Sequence, residues 1–161
     1  MVGEITRYRQ PVQVLVYAVR WTNEGWRYLM LHRAPRRGGF WQGVSGGVEW
    51  GEALADAACR ELGEETGFSP RQLQPVDCSY TFPMQDEWLE IYPPGTCEVA
   101  EHVFLAVVES ARPTLSPDEH DAWRWCTFEE ALALLVWPGN VVALQCCQKV
   151  VARLNGVPSG G

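Results

Sequence analysis

Residues 46–68, GGVEWGEALADAACRELGEETGF, open on the glycine pair Gly46-Gly47, continue into a run with helical spacing and set Gly67 after it. The helix is expected over EALADAACRELGEET (52–66), with Gly67 ending it in the left-handed conformation that glycine adopts most readily. At about 100° per residue, and with Glu61 as origin, Glu65 falls near +40° and Glu64 near −60°. Three carboxylates thus share one face. Leu54, Ala58 and Leu62, spaced four apart on the neighbouring arc, give the same helix an apolar seam to bury. The acids therefore stand beside the core boundary, where they can shape a cleft. Like charges at that spacing repel unless a cation offsets them, and one arginine, Arg60, does not neutralise three acids. Hard oxygen donors at this density suit Mg²⁺, or Mn²⁺ in its place, either of which keeps waters and bridges to phosphate. Glu49, Glu52 and Asp56 fall outside the arc and read as loop and surface groups.

Strand patterns flank this helix. PVQVLVYAV (11–19) and WRYLMLHR (26–33), joined by a polar turn at 22–25, read as a hairpin. The loop APRRGG (34–39) follows, then FWQGVSGGVE, strand-like but broken by glycines. Further strands are expected near 74–82, 86–92 and 100–108, and a short one at AWRWC (122–126). Thr127 and Glu130 form a capping box for a helix at 127–135, and Asn140 is placed to cap a last helix over 141–154. This order lacks regular β-α-β-α alternation, which predicts an α/β fold with a mixed sheet between helices. A single domain over 1–156 with a disordered tail at 157–161 is expected.

The chain has 161 residues, 47% of them hydrophobic, which suffices for one core. Its net charge of −7 argues against a nucleic-acid-binding face, so positive charge for an anionic substrate must come from elsewhere. A bound metal is the obvious supply. No apolar stretch reaches the roughly 18 residues of a membrane span, and no leader pattern opens the chain, so a soluble cytoplasmic protein is expected. The six cysteines (Cys59, Cys78, Cys97, Cys126, Cys146, Cys147) match neither a zinc site nor a disulfide framework. They read as mostly buried thiols in a reducing compartment.

Gly46, five residues, Glu52, seven residues, then Arg60-Glu61-Leu62-Gly63-Glu64-Glu65-Thr66-Gly67-Phe68 resembles the Nudix box, GX5EX7REUXEEXGU with U apolar, at every specified position. The resemblance implies an α/β/α sandwich and metal-dependent hydrolysis of a pyrophosphate within a nucleoside diphosphate linked to another group. It implies Glu61, Glu64 and Glu65 as metal ligands, joined by a backbone carbonyl near Ser45 and Gly46. Arg60 would orient the glutamates, Glu52 would fix the loop to the helix, and the glycines would let the backbone approach the metal. Relatives often add an outlying carboxylate as ligand or general base, and Glu119 in SPDEHDAWRW is the candidate here. His120 beside it is left outside the catalytic set. Arg33 suits phosphate oxygens and Trp41 a heterocycle face, with Tyr92 a candidate for the opposite wall.

Outside the box, FWQGVSGGVEWGE, YPPG, EHDAWRW and WPGN are similar to bacterial dihydroneopterin triphosphate pyrophosphohydrolases and their dATP-cleaving relatives. That similarity implies a nucleoside or pterin triphosphate cut to a monophosphate and pyrophosphate. The rival enzyme is an asymmetric dinucleoside tetraphosphate hydrolase; the rival class is a Nudix-like ligand-sensing module, which usually loses box glutamates that this chain keeps. ADP-ribose hydrolysis and mRNA decapping are less favoured. Members of the family include monomers and dimers, so a homodimer is compatible with the resemblance.

Overall fold

The computed structural model describes residues 8–154, leaving Asn155, Gly156 and the tail expected at 157–161 outside the described residues. The central strand β1 (Val12–Thr22) turns through a two-residue loop into β2 (Gly25–Arg33), and Thr22 pairs with Gly25 across it. Then come β3 (Trp41–Gln42), β4 (Val44–Gly47), α1 (Leu54–Thr66), β5 (Gln72–Pro83), β6 (Glu98–Val107), β7 (His120–Cys126), α2 (Phe128–Leu134) and α3 (Pro138–Leu154). The seven strands form one mixed sheet in the order β3-β2-β1-β6-β5, with β4 also on β1 and β7 also on β2. β1 and β6 run parallel, and the other pairs are antiparallel.

β1 is buried continuously from Val14 to Val19 because both faces of the sheet are covered. Val14, Val16 and Ala18 pack with Ala57, Ala58 and Leu62 of α1. Leu15, Tyr17 and Val19 pack on the other face with Ala131 of α2 and with Ala143, Leu144 and Cys147 of α3. This is the expected sandwich of helices about a mixed sheet.

Gly67 stands at φ 77° and donates its N–H to the Gly63 carbonyl, closing α1 in the left-handed conformation. Thr127 and Glu130 form the capping box reciprocally, at 3.1 and 2.9 Å. Three expectations are corrected. Residues 86–92 are not a strand: β5 reaches Pro83 and β6 starts at Glu98, so among the described residues the segment has no ladder, and it forms a 3-10 turn at Asp86–Trp88 with Trp88 edge-on to Tyr92 and the Arg9 N–H donating to the Ile91 carbonyl. Asn140 is not a cap but a buried residue of the first turn of α3, because Pro138, with its φ preset for a helix, starts the helix two residues earlier. The thiols are free but not mostly buried: Cys126 and Cys147 are buried, while Cys59 and Cys97 are exposed.

Candidate active site

α1 starts at Leu54, so Glu52 stays in the loop and Arg60, two turns into the helix, reaches back for it. The Arg60 guanidinium forks onto both Glu52 carboxylate oxygens, at 2.8 and 2.9 Å. It also donates to the Gly47 carbonyl at 2.9 Å, to Glu61 at 3.0 Å and to Glu64 at 3.4 Å. Glu52 in turn accepts the Glu49 N–H at 3.0 Å. One side chain thus ties β4, the loop and the acidic face together. Glu52 is therefore a half-buried anchor, not the surface group its place outside the acidic arc predicts.

The Arg60 hydrogen bonds, aided by the Glu49 N–H, hold the Glu52 carboxyl down to about 2. A carboxyl depressed on folding adds stability above its unfolded value, near 4.5, that is lost as pH falls toward 2. Glu52→Gln is expected to cost about 1–2 kcal/mol at pH 7, within the range for charge-assisted hydrogen bonds, and to flatten stability across that acid window. Urea unfolding at pH 7 and pH 3 checks this, and an unchanged slope between them refutes it.

Three acids share the arc expected of them, yet the sheet divides them. Glu61 and Glu65 are buried, at 9% and 4% exposure, while the Glu64 side chain is 59% exposed at the rim. Gly46 explains how Glu61 fits: a Cβ at that position would overlap the Glu61 carboxyl group. β4 pairs with β1 through Ser45↔Leu15 and Gly46↔Val14, which sets the Ser45–Gly46 backbone against the same carboxyl. Gln42 donates to the Ser45 hydroxyl at 2.7 Å and fixes that turn of chain.

Burial pushes the Glu61 carboxyl above the usual range, against the pull of Arg60. Burial first, then the charges of Glu61 and Glu119, push Glu65 up to about 9. Its Oε1 is buried without a hydrogen-bond partner. Two buried carboxyls sharing too little positive charge, one with an orphaned oxygen, beside strand backbone that a glycine leaves bare, fit a hard divalent cation. Among the described residues no three His, Cys, Asp or Glu side chains close into a cage. An open set of this kind matches a cation that keeps waters.

The end of β2 and the start of β7 bring the outlying residues in. Arg33 pairs with His120 across the strands, and Ala34 N–H donates to the Glu119 carbonyl at 2.8 Å. The Glu119 backbone is thereby held at the end of β2, and the charge of its side chain contributes to the upward push on Glu65. Arg33 lies over the Phe40 ring, 5.4 Å from its centre, with Nε on the Arg37 carbonyl. Trp41 packs edge-on to His32, whose Nδ1 lies 2.6 Å from Asp121. Tyr92, 5% exposed and packed against Trp88, is a packing residue of its segment rather than an open wall. His120, set aside on sequence, is buried with Nε2 3.7 Å from Glu65. Burial and Arg33 hold its ring down to about 4, hence neutral at pH 7. Its adjacency to Glu119 was the only sequence signal for it.

A family model for the NUDIX domain matches residues 11–145. Dihydroneopterin triphosphate diphosphatase of Escherichia coli (strain K12) is 34% identical over 131 residues, 79% of this chain and 85% of that protein. An octanoyltransferase of Myxococcus xanthus is 38% identical over 113 residues, 70% of this chain, but the chain spans only 30% of that protein's length. Among solved structures, a Nudix hydrolase from Listeria monocytogenes superposes with a TM-score of 0.76 at 29% identity, over 91% of this chain and 97% of that one.

Proposed function

From the premise that the chain belongs to the Nudix family and is a pyrophosphohydrolase, we propose that it hydrolyses a nucleoside or pterin triphosphate, dihydroneopterin triphosphate or a deoxynucleoside triphosphate, to the monophosphate and pyrophosphate. The observation that carries this reading is the buried pair Glu61 and Glu65, of which Glu61 is set against the Gly46 backbone and tied through Arg60 to the loop. The relative spanning 85% of its own length supports the substrate class. The acyl transfer named for the M. xanthus protein is not carried over, since the match leaves most of that protein uncovered.

Glu61, Glu65 and the rim carboxylate of Glu64, with the Ser45 or Gly46 carbonyl, would hold Mg²⁺ or Mn²⁺. Such a cation, when bound, neutralises phosphate oxygens and lowers the pKa of its water. Arg33, stiffened by Phe40 and the Arg37 carbonyl, binds the phosphate chain and offsets the charge that builds on it. Glu119 supplies the outlying carboxylate, as a further ligand or as the base that takes the water's proton. Arg60 and Glu52 keep the glutamates and the loop from parting during the reaction. Trp41, edge-on to His32, offers an aromatic ring for the heterocycle. No described helix is long and apolar enough to cross a membrane, and the free thiols suit a reducing cytoplasm.

Dihydroneopterin triphosphate, dATP, diadenosine tetraphosphate and ADP-ribose, each supplied with Mg²⁺ and with chelator, provide the test, products being identified by mass. Metal-dependent release of pyrophosphate from a triphosphate is expected. Cleavage of the tetraphosphate alone would replace this reading with the dinucleoside one, and no turnover on any of them would leave a ligand-sensing module.

A further inference from the structure

β7 does not keep step with β2. From Tyr28↔Cys126 to His32↔Ala122 the register advances one residue at a time, and it then jumps to Arg33↔His120, leaving Asp121 as a bulge. Side chains alternate along a strand, so the bulge decides which residue faces α1. Trp125 lies on that face, packed with the α1 core and stacked on Phe68. Continued alternation through Trp123 would put Asp121 there, a further acid aimed at Glu65. The extra residue instead turns Asp121 to His32, at 2.6 Å, and swings His120 onto the α1 face, with its Nε2 3.7 Å from Glu65 Oε1.

Both atoms of that approach lack partners. Among the described residues, Glu65 Oε1 and the two ring nitrogens of His120 are buried without a hydrogen bond, and the imidazole is 3% exposed. Polar atoms left without partners in a packed interior are costly, and two that face each other call for a state of the site that joins them. A separation of 3.7 Å is too long for a hydrogen bond and closes with a small side-chain rotation.

We propose that His120 is a positioning residue for Glu65: its Nε2–H donates to Oε1 when the carboxylate turns its charge to a divalent cation, and so fixes the ligand's orientation. The proposal rests on the reading of Glu65 as a metal ligand. The bulge is the device that makes it possible, because it removes an acid from the face and substitutes a donor. The exposed pair of His32 and Asp121 holds the bulge in place from outside.

The experiment titrates Mn²⁺ alone into substrate-free wild type, His120→Phe and His120→Gln, by electron paramagnetic resonance, alongside kcat, KM and thermal stability. His120→Phe is expected to weaken Mn²⁺ binding and lower kcat by about 10-fold each, the loss typical of a ligand's supporting partner, with KM little changed. His120→Gln, which keeps a donor, should recover most of both. Unchanged Mn²⁺ affinity in His120→Phe overturns the proposal, as does equal loss in both variants that tracks their thermal stability. If the Phe variant does not fold, His120→Asn, too short to reach Glu65, takes its place in the comparison. Wild type that binds Mn²⁺ but turns over no substrate would sink the enzymatic reading and leave this pairing standing.

Discussion

Glu65→Gln is expected to lower kcat by about 10²–10³-fold, the scale of losing one preorganised electrostatic group, while the protein stays folded. Glu61→Gln should do the same, because it removes the charge of the other buried carboxylate, the partner of Arg60. Stability separates this outcome from misfolding. The Glu65 carboxyl rises on folding from 4.5 to about 9, so its contribution to stability is complete below pH 4.5 and is lost as pH climbs toward 9. In chelator, wild type and Glu65→Gln should therefore match near pH 4.5, and the variant should be the more stable at pH 9. Adding Mg²⁺ should reverse that order at high pH, since the cation stabilises only the carboxylate. Near wild-type turnover in both variants, or a metal-free wild type that does not lose stability relative to the variant on the way to pH 9, would remove Glu61 and Glu65 from the metal site.

Arg60→Ala should cost both stability and turnover. The guanidinium makes five hydrogen bonds, to Glu52 twice, Gly47, Glu61 and Glu64, and its loss leaves Glu52 and Glu61 without their cation. Removing one partner of a buried pair costs about 3–5 kcal/mol. With the Arg60 side chain 25% exposed, about 2–3 kcal/mol is expected after allowance for solvent screening. For a domain of this size that lowers Tm by roughly 5–10 °C. Turnover should fall by about 10²-fold or more, since Glu61 and the loop carrying the Gly47 carbonyl lose their common tether. Arg60→Lys keeps the charge but cannot fork onto Glu52 while reaching the others, and should recover less than half of either loss. Calorimetry and steady-state kinetics read both effects, and a lysine variant equal to wild type would show that charge, not the fork, is what matters.

Local rules made much of this protein legible. The apolar seam of α1, its end at Gly67, the capping box of α2 and the hairpin of β1 and β2 follow from residues close in sequence. So does the acidic box, whose partners lie within one helix and the loop before it. Arg60 and Glu52 are eight residues apart, but helical spacing alone did not pair them, because Glu52 lies in the loop before the helix. The segment 86–92 misled because strand-like composition does not supply a neighbouring strand, and neither β5 nor β6 extends to meet it. Asn140 misled because Pro138 starts the helix two residues earlier.

The residues proposed for the metal site, Glu61, Glu64, Glu65, Gly46 and Arg60, could be picked out of the chain because they lie along one helix and the strand and loop just before it. Only the tertiary structure decided that Glu61 and Glu65 turn to the sheet while Glu64 stays at the rim. It alone placed His120 beside Glu65, across more than fifty residues of chain. The reason is that a helix face has a fixed period, whereas the face taken by a strand residue depends on register, and a single bulge at Asp121 exchanges an acid for a histidine.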